Sequence, residues 1–533
     1  MHISIIKSLI DNLYRSHPSG CILNTKNNMC RYTYISAYTP IVVVSSLSSV
    51  SINRHAWITL GILSSTLLVV FFSETMLLPA IPEIMKDFRI TYGTAAWIFS
   101  SYLIVAAVMT PIAGKMSDLY GKKKVLLVLL TLYIAGITAG GFAHNITFLL
   151  VTRIIQGVGL AAVPAAFSLL RDTFPPAKLA IAVGVFGSAY SAGSVVGLLA
   201  GATIIQMFGW HSTFLSIVPF AATVTIMIAK FVKQENKVQI SDHGNTQSTG
   251  RKMQQTSHSI DIKGALALSI TVISFLVALT LVQSGINSKV LPQVAIAFVV
   301  SAISLAVFVV IERRVPSPLV DMRLLKDMTL MPSYIIAMAT GITMFMAYPA
   351  IVQLVRNPAP LGFGGSAVDA ANVQLPFMIM FLVFSSITPL IINRIGKLNP
   401  IIIGTVISLI GSVGLLVFHS TKPAVSINLA IIASGLSMTI TSTWNIIVSS
   451  SPKSFVGISV GVGALLLFIG MSIGPALTGV YMENHQTIKG VQGSYPSIGS
   501  YNLVYLTSGL LSAVSLGFVL TLRKRVAQKT IKV

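Results

Sequence analysis

Apolar runs of about twenty residues, separated by short polar breaks, follow one another along almost the whole chain from residue 57 onward. A helix rises about 1.5 Å per residue, so about 20 apolar residues cross the roughly 30 Å hydrocarbon core of a bilayer. The pattern predicts fourteen such spans, at 57–82, 93–113, 125–143, 146–170, 178–204, 211–230, 262–283, 289–311, 330–354, 370–392, 399–418, 424–448, 453–481 and 500–522. After the sixth run a polar stretch rich in lysine, glutamine and serine has no apolar periodicity and reads as a linker. The fold class expected is an all-α polytopic membrane protein. Its parts are a tail (1–56), a six-helix bundle (57–230), a linker (231–261), two inserted spans (262–311), a loop (312–329), a second six-helix bundle (330–522) and a short tail (523–533).

Composition agrees: only 9% of residues are charged and mean hydropathy is +0.83, whereas soluble domains carry about 25% charged residues. The 36 Lys and Arg outnumber the 14 acids, giving a formal charge of +22. In a soluble chain that excess would suggest nucleic acid. Here the positives gather in alternate breaks, at Lys122 to Lys124, Lys230 with Lys233 and Lys237, Arg251 with Lys252, Arg313 with Arg314, and Arg523 to Arg525. The breaks between them are nearly bare, with isolated cases such as Arg356, Lys422 and Lys489. This asymmetry places both termini in the cytoplasm; the membrane expected is the plasma membrane, and no nucleic-acid partner is expected, since no basic stripe lies on a foldable soluble domain. The apolar stretch 41–50 is too short to span and has no cleavage-like end, so the tail reads as a cytoplasmic arm. Cys21 and Cys30, the two cysteines, read as unpaired thiols. No metal cluster, nucleophile constellation or Gly-x-x-x-x-Gly-Lys-Ser/Thr phosphate loop is present, so no cofactor, enzymatic activity or ATP drive is expected.

The two halves repeat. Gly193-Ser194-Val195-Val196-Gly197-Leu198-Leu199-Ala200-Gly201-Ala202 has a counterpart in Gly470-Met471-Ser472-Ile473-Gly474-Pro475-Ala476-Leu477-Thr478-Gly479. Glycines four apart let helices approach closely, which is a packing reading. Two related bundles around a midplane site is also a transporter architecture. Between the second and third runs lies Gly114-Lys115-Met116-Ser117-Asp118-Leu119-Tyr120-Gly121-Lys122-Lys123-Lys124, expected as a tight loop at the membrane surface. Gly114 and Gly121 would turn the backbone, Asp118 would cap or pair, and Lys122 would hold the cytoplasmic side.

Two charges fall well inside predicted spans, Glu74 in the first and Arg153 in the fourth. Intramembrane charges are costly and tend to be functional. Counted along their spans, Glu74 lies about 26 Å from the cytoplasmic end and Arg153 about 11 Å from the outer end. Both therefore fall in the outer half, where they can share a cavity. A carboxyl there can load and release a proton as a cavity opens to either side; a static pair holding two helices together is the alternative. Trp97, Tyr102, Gln156, Asn372, Gln374, Trp444 and Asn445, with Asp369, are candidates for a substrate cavity, since apolar pockets hold amphipathic ligands with a few placed polar groups. Helix packing is the plainer reading of the second-half residues. Asn145-Ile146-Thr147 matches a glycosylation triplet but lies against a span.

The 114–124 segment resembles the signature loop between spans two and three of the major facilitator superfamily, except that Leu119 stands where arginine usually follows the aspartate. Residues 193–202 resemble the span-five motif Gly-x-x-x-Gly-Pro-x-x-Gly-Gly of the drug-efflux branch, with Leu198 and Ala202 departing from it; the second copy keeps the proline as Pro475. Trp97-Ile98-x-x-x-Tyr102-Leu103, Arg153-Ile154-Ile155-Gln156-Gly157-Val158-Gly159 and Gly209-Trp210-His211-Ser212-Thr213-Phe214 with Pro219 are similar to further motifs of that branch. Together with fourteen spans, residues 57–522 resemble the fourteen-span drug:proton antiporters. The resemblance implies a monomeric carrier that exports small amphipathic compounds in exchange for protons by alternating access, with Glu74 and Arg153 in coupling. The family's span-one aspartate would align nearer Ser73. A metabolite facilitator or importer of the same fold, or a non-transporting receptor, remains open on the residues alone.

Overall fold

The computed structural model describes residues 54–232, 261–283, 290–315, 318–320, 322–451, 456–484, 486–490 and 493–531. The tail with Cys21 and Cys30, and most of the 231–261 linker, lie outside the described residues. The first half comprises α1 (Arg54–Thr75), a 3-10 turn (Leu78–Ala80), α2 (Ile81–Phe88), α3 (Tyr92–Tyr120) and α4 (Lys122–Gly140), followed by α5 (Ile146–Leu160), α6 (Ala162–Thr173), α7 (Pro176–Phe208) and α8 (His211–Phe231). The inserted pair is α9 (Ile262–Gln283) and α10 (Leu291–Arg314), joined by the short α11 (Met322–Lys326) to the second half. That half contains α12 (Leu330–Arg356), α13 (Ala367–Ile395), α14 (Leu398–Val417), α15 (Lys422–Ser450), α16 (Val456–Asn484) and α17 (Ile498–Ile531).

Among the described residues, 13 helices are long and apolar enough to cross a membrane, counting α1 through α2 as one. The remaining expected span, the fourth, is broken into α5 and α6 at Ala161, whose N–H bonds the Val158 carbonyl at 3.3 Å in a tightened turn. Pro164 explains the break: it has no N–H to offer the Leu160 carbonyl one turn earlier. Side chains on the outer faces are apolar, such as Ile296 at 62% and Ile303 at 59% exposed on α10, as a hydrocarbon surround requires. An antiparallel hairpin, β1 (Gln486–Gly490) with β2 (Gly493–Pro496), lies between α16 and α17; its few residues carry no hydropathy signal.

The repeated glycines set the packing. Gly193, Gly197 and Gly201 of α7 ride on Leu68 and Phe72 of α1 and on Met76 just after it, and a Cβ on Gly197 would lie 2.8 Å from the Phe72 Cα. In the second half Gly470 and Gly474 of α16 ride likewise on Met338 and Ile342 of α12. Matching four-residue steps on both sides make two helix pairs related by the sequence repeat, each closer than any side chain would permit. Pro475 sits inside α16, and Leu198 at the equivalent place in α7 is fully buried. The halves meet along α3 against α16 and α7 against α13. The inserted α9 packs on both α3 and α16, whereas α10 packs chiefly on α9.

The segment between spans two and three differs from the expected loop. α3 continues through Gly114 and Asp118 to Tyr120, and α4 begins at Lys122, so the turn is Gly121 alone, at φ 94°. Only glycine adopts that backbone without strain. The polar residues after Gly114 extend the helix because nothing in their chemistry breaks it. Lys123 reaches the last turn of α8, donating to the Ala229 carbonyl at 2.7 Å, where a cation opposes the negative helix end.

Candidate functional site

Arg153 and Gln156 are three residues apart on α5, hence on one face, and that face turns inward between α1, α3 and α4. Small residues make this possible. A Cβ on Gly136 of α4 would lie 2.6 Å from the Gln156 amide nitrogen, and one on Gly157 would lie 2.9 Å from the Tyr102 Cα. Arg153, only 1% exposed, donates from Nε to the Ile98 carbonyl at 3.0 Å and from Nη1 to Gln156 Oε1 at 2.6 Å. Gln156 passes the connection on, its Nε2 donating to Ser73 Oγ at 3.2 Å. Ser73 in turn makes a short bond with the Tyr133 hydroxyl, which lies 3.2 Å from the Val70 carbonyl.

Glu74 sits beside this chain, 4% exposed, and no ion pair within 4.0 Å joins it to Arg153. Tyr102 lies between them: its ring is 4.2 Å under the guanidinium, and its hydroxyl faces the Glu74 carboxyl. Glu74 Oε2, Tyr102 Oη and Arg153 Nη2 are all buried without a hydrogen-bond partner. A buried polar atom left unpaired is costly. Three in one place form a polar cluster with spare donor and acceptor capacity. Such a set can take up and give back a proton, or meet a polar group of a ligand.

On its other side Glu74 adjoins an aromatic and methionine cluster that spans the two halves. Phe71 packs on Tyr190 with centroids 4.0 Å apart, and Tyr190 on Phe381 at 5.9 Å. The cluster continues through Phe377 to Tyr348, 5.2 Å apart, while the Tyr190 hydroxyl touches Met344 Sδ at 3.7 Å. Gln374 belongs here, donating from Nε2 to the Tyr348 carbonyl at 2.6 Å and leaving its Oε1 unpaired. Adaptable thioethers and flat rings suit varied apolar shapes.

Of the sequence-predicted residues, Glu74, Arg153, Tyr102 and Gln156 are thus brought together, and Gln374 lines the neighbouring cluster. Trp97 is not: its indole N–H donates to Thr280 Oγ1 of α9 at 2.8 Å and fastens the inserted pair to α3. Asn372 and Asn445 are exposed, and Asn445 turns its amide to the Thr441 carbonyl of its own helix. Trp444 packs toward α16 at Gly463. Asp369 forms a capping box with Ser366 and pairs with Lys422 at 3.5 Å, and Asn145 caps α5 at the Phe148 N–H, 2.8 Å away. Asp369 and Asn145 thus satisfy helix ends instead of lining a cavity. Tyr190, Tyr348, Phe377 and Phe381 escaped the sequence reading, because an aromatic in an apolar run looks the same whether it faces lipid, core or ligand.

The two ends of the interface between the halves differ. At one end Arg356 pairs with Glu83 at 2.7 Å and donates to the Pro79 carbonyl at 3.1 Å, and the Gly93 N–H donates to Glu483 Oε1 at 2.6 Å. Midway, Ser100 donates to the Ser472 carbonyl at 2.8 Å. Toward the Gly121 end, Gly114, Gly184, Gly187 and Gly461 have no atom within 4 Å of where a Cβ would stand. The Glu83 end is latched by an ion pair between the halves.

The sequence model of the Major Facilitator Superfamily matches residues 63–475. The chain is 26% identical over 458 residues to multidrug resistance protein 3 of Bacillus subtilis (strain 168), covering 83% of each chain. It is 24% identical over 440 residues to the tetracenomycin C resistance and export protein of Streptomyces glaucescens, covering 81% of this chain and 77% of the relative. Among solved structures, the human organic anion transporter MFSD10 (TETRAN) superposes with a TM-score of 0.59 at 12% identity, covering 88% of this chain and 100% of the other. An auto-inhibited peptide transporter of the POT family superposes equally well, at 14% identity, covering 87% of this chain and 96% of the other.

Proposed function

The chain belongs to the Major Facilitator Superfamily, and we propose that it exports small amphipathic compounds across the cell membrane in exchange for protons, by alternating access between its two bundles. The relatives named for drug resistance and export support the substrate class and the direction. The observation that carries the coupling is Glu74: a buried carboxyl with an unpaired oxygen, between an arginine-anchored polar chain and the aromatic cluster at the junction of the halves. In this reading Arg153 is held by Ile98 and Gln156 so that it biases Glu74 without neutralising it. Loading and release of a proton at Glu74 as the bundles rock then couples proton flux to substrate flux.

The basic breaks put the Gly121 end and both termini in the cytoplasm. In this reading the pair of Glu83 with Arg356 latches the outer side. Gly121 is the hinge between α3 and α4, with Gly114 and Asp118 on the last turns of α3 and Lys122 opening α4, and the glycine stripes of α7 and α16 are the faces on which each bundle stays rigid while it rocks. The carrier acts as a monomer in the bilayer.

The test is transport in proteoliposomes with a fluorescent amphipathic dye. Glu74→Gln keeps the shape and removes the titrating group, so a pH gradient should no longer drive dye accumulation while dye binding persists. Full gradient-driven accumulation by this variant would remove Glu74 from the mechanism. A proton-independent facilitator would show no gradient-driven accumulation even in the wild type.

A further inference from the structure

A groove of about 620 Å³ lies where α11 and the first turn of α12 meet the last part of α17, away from the Glu74 cluster. On α17 it is lined by Val514, Gly517, Phe518 and Thr521, one stripe of a helix. One turn further along the same stripe stands Lys524, exposed. Gly517 makes the groove, since no atom comes within 4 Å of the place its Cβ would take. Across from it, Met328 and Met331 leave 65% and 41% of their surface uncovered, and beside it on α17 Val514 leaves 49%. Lys326 stands exposed at the rim. The acidic residue of the lining, Asp327, is already engaged: its Oδ1 accepts from the Thr329 and Leu330 N–H groups at 2.8 and 2.9 Å, capping the start of α12.

We propose that this groove binds one glycerophospholipid with an anionic headgroup. An acyl chain lies in the notch at Gly517, against Met331 and Phe518, and the phosphate meets Lys326 and Lys524. The volume falls in the about 300–1,000 Å³ range of small-molecule sites. The apolar floor leads to a cationic rim at the end of the span, which is the polarity sequence of a lipid read from tail to head. The rim belongs to the basic side of the chain, the side that faces the leaflet carrying anionic lipid. A zwitterionic headgroup would bring its own cation to the two lysines and gain less. Bound there, the lipid would tie α11, which links the inserted pair to the second bundle, to α17.

The experiment follows thermal unfolding of the full-length protein in detergent with added phosphatidylglycerol, phosphatidylcholine or water-soluble glycerol phosphate, and counts bound lipid by native mass spectrometry. Phosphatidylglycerol should raise Tm more than phosphatidylcholine, glycerol phosphate should not raise it, and one phosphatidylglycerol should remain bound. Gly517→Leu fills the open notch and improves helix propensity, so it should fold yet lose both the extra Tm shift and the bound lipid. Lys326→Gln should weaken phosphatidylglycerol binding about five-fold and phosphatidylcholine binding by less. Equal shifts from the two lipids, a shift reproduced by glycerol phosphate, or an undiminished phosphatidylglycerol effect in Gly517→Leu would each overturn the assignment.

Discussion

Arg356→Met should release the latch at the Glu83 end. The arginine makes two contacts across the halves, an ion pair with Glu83 at 2.7 Å and a donated bond to the Pro79 carbonyl at 3.1 Å. The paired side chains are 18% and 31% exposed, so the pair is worth about 1 kcal/mol, the upper end of the range for surface pairs. A hydrogen bond from a charged donor adds about 1.5 kcal/mol, less the water that replaces it on opening. The two together favour the latched state by about 2 kcal/mol, or about 30-fold in population. Methionine keeps the apolar stem and loses both contacts. Glu83→Gln loses only the pair and should shift the balance about five-fold, and the double variant should resemble Arg356→Met alone. The assay places spin labels at the exposed positions Lys86 and Ser420, on opposite halves at this end, and measures their separation by double electron–electron resonance. A longer-distance population should grow in the order wild type, Glu83→Gln, Arg356→Met. Identical distance distributions in all three would show that the contact does not govern access.

Gly157→Ala should lower thermal stability by about 1–3 kcal/mol, because the new Cβ meets the Tyr102 backbone, whereas Gly184→Ala, with open space around it, should be neutral or stabilising; a thermal-shift assay separates the two. Trp97→Phe should cost about 1 kcal/mol of stability through the lost bond to Thr280 while leaving dye affinity unchanged, and a large drop in affinity would return Trp97 to the cavity. In intact cells a membrane-impermeant thiol reagent should label Lys489→Cys and miss the native Cys21 and Cys30; the reverse pattern would invert the orientation.

Much of this molecule was legible one residue at a time. Hydropathy places the helices, since a bilayer admits only segments that satisfy their own backbone, and the charged breaks carry the orientation proposed for them. The glycine repeat was legible too, because spacing by four has a single geometric meaning on a helix. Glu74 and Arg153 stood out because a charge in an apolar run is rare. That they lie in one buried cluster but not in one ion pair could not be read, since it depends on how α1 and α5 rotate against α3 and on the ring of Tyr102 between them. The break at Ala161, the persistence of α3 to Tyr120 and the diversion of Trp97 to Thr280 are likewise settled by neighbours that the linear order does not reveal. Sequence determines which segments enter the membrane and which residues are anomalous there. Which anomalies meet is decided by tertiary packing, because contacts such as Arg356 with Glu83 join helices far apart in the chain and owe nothing to local pattern.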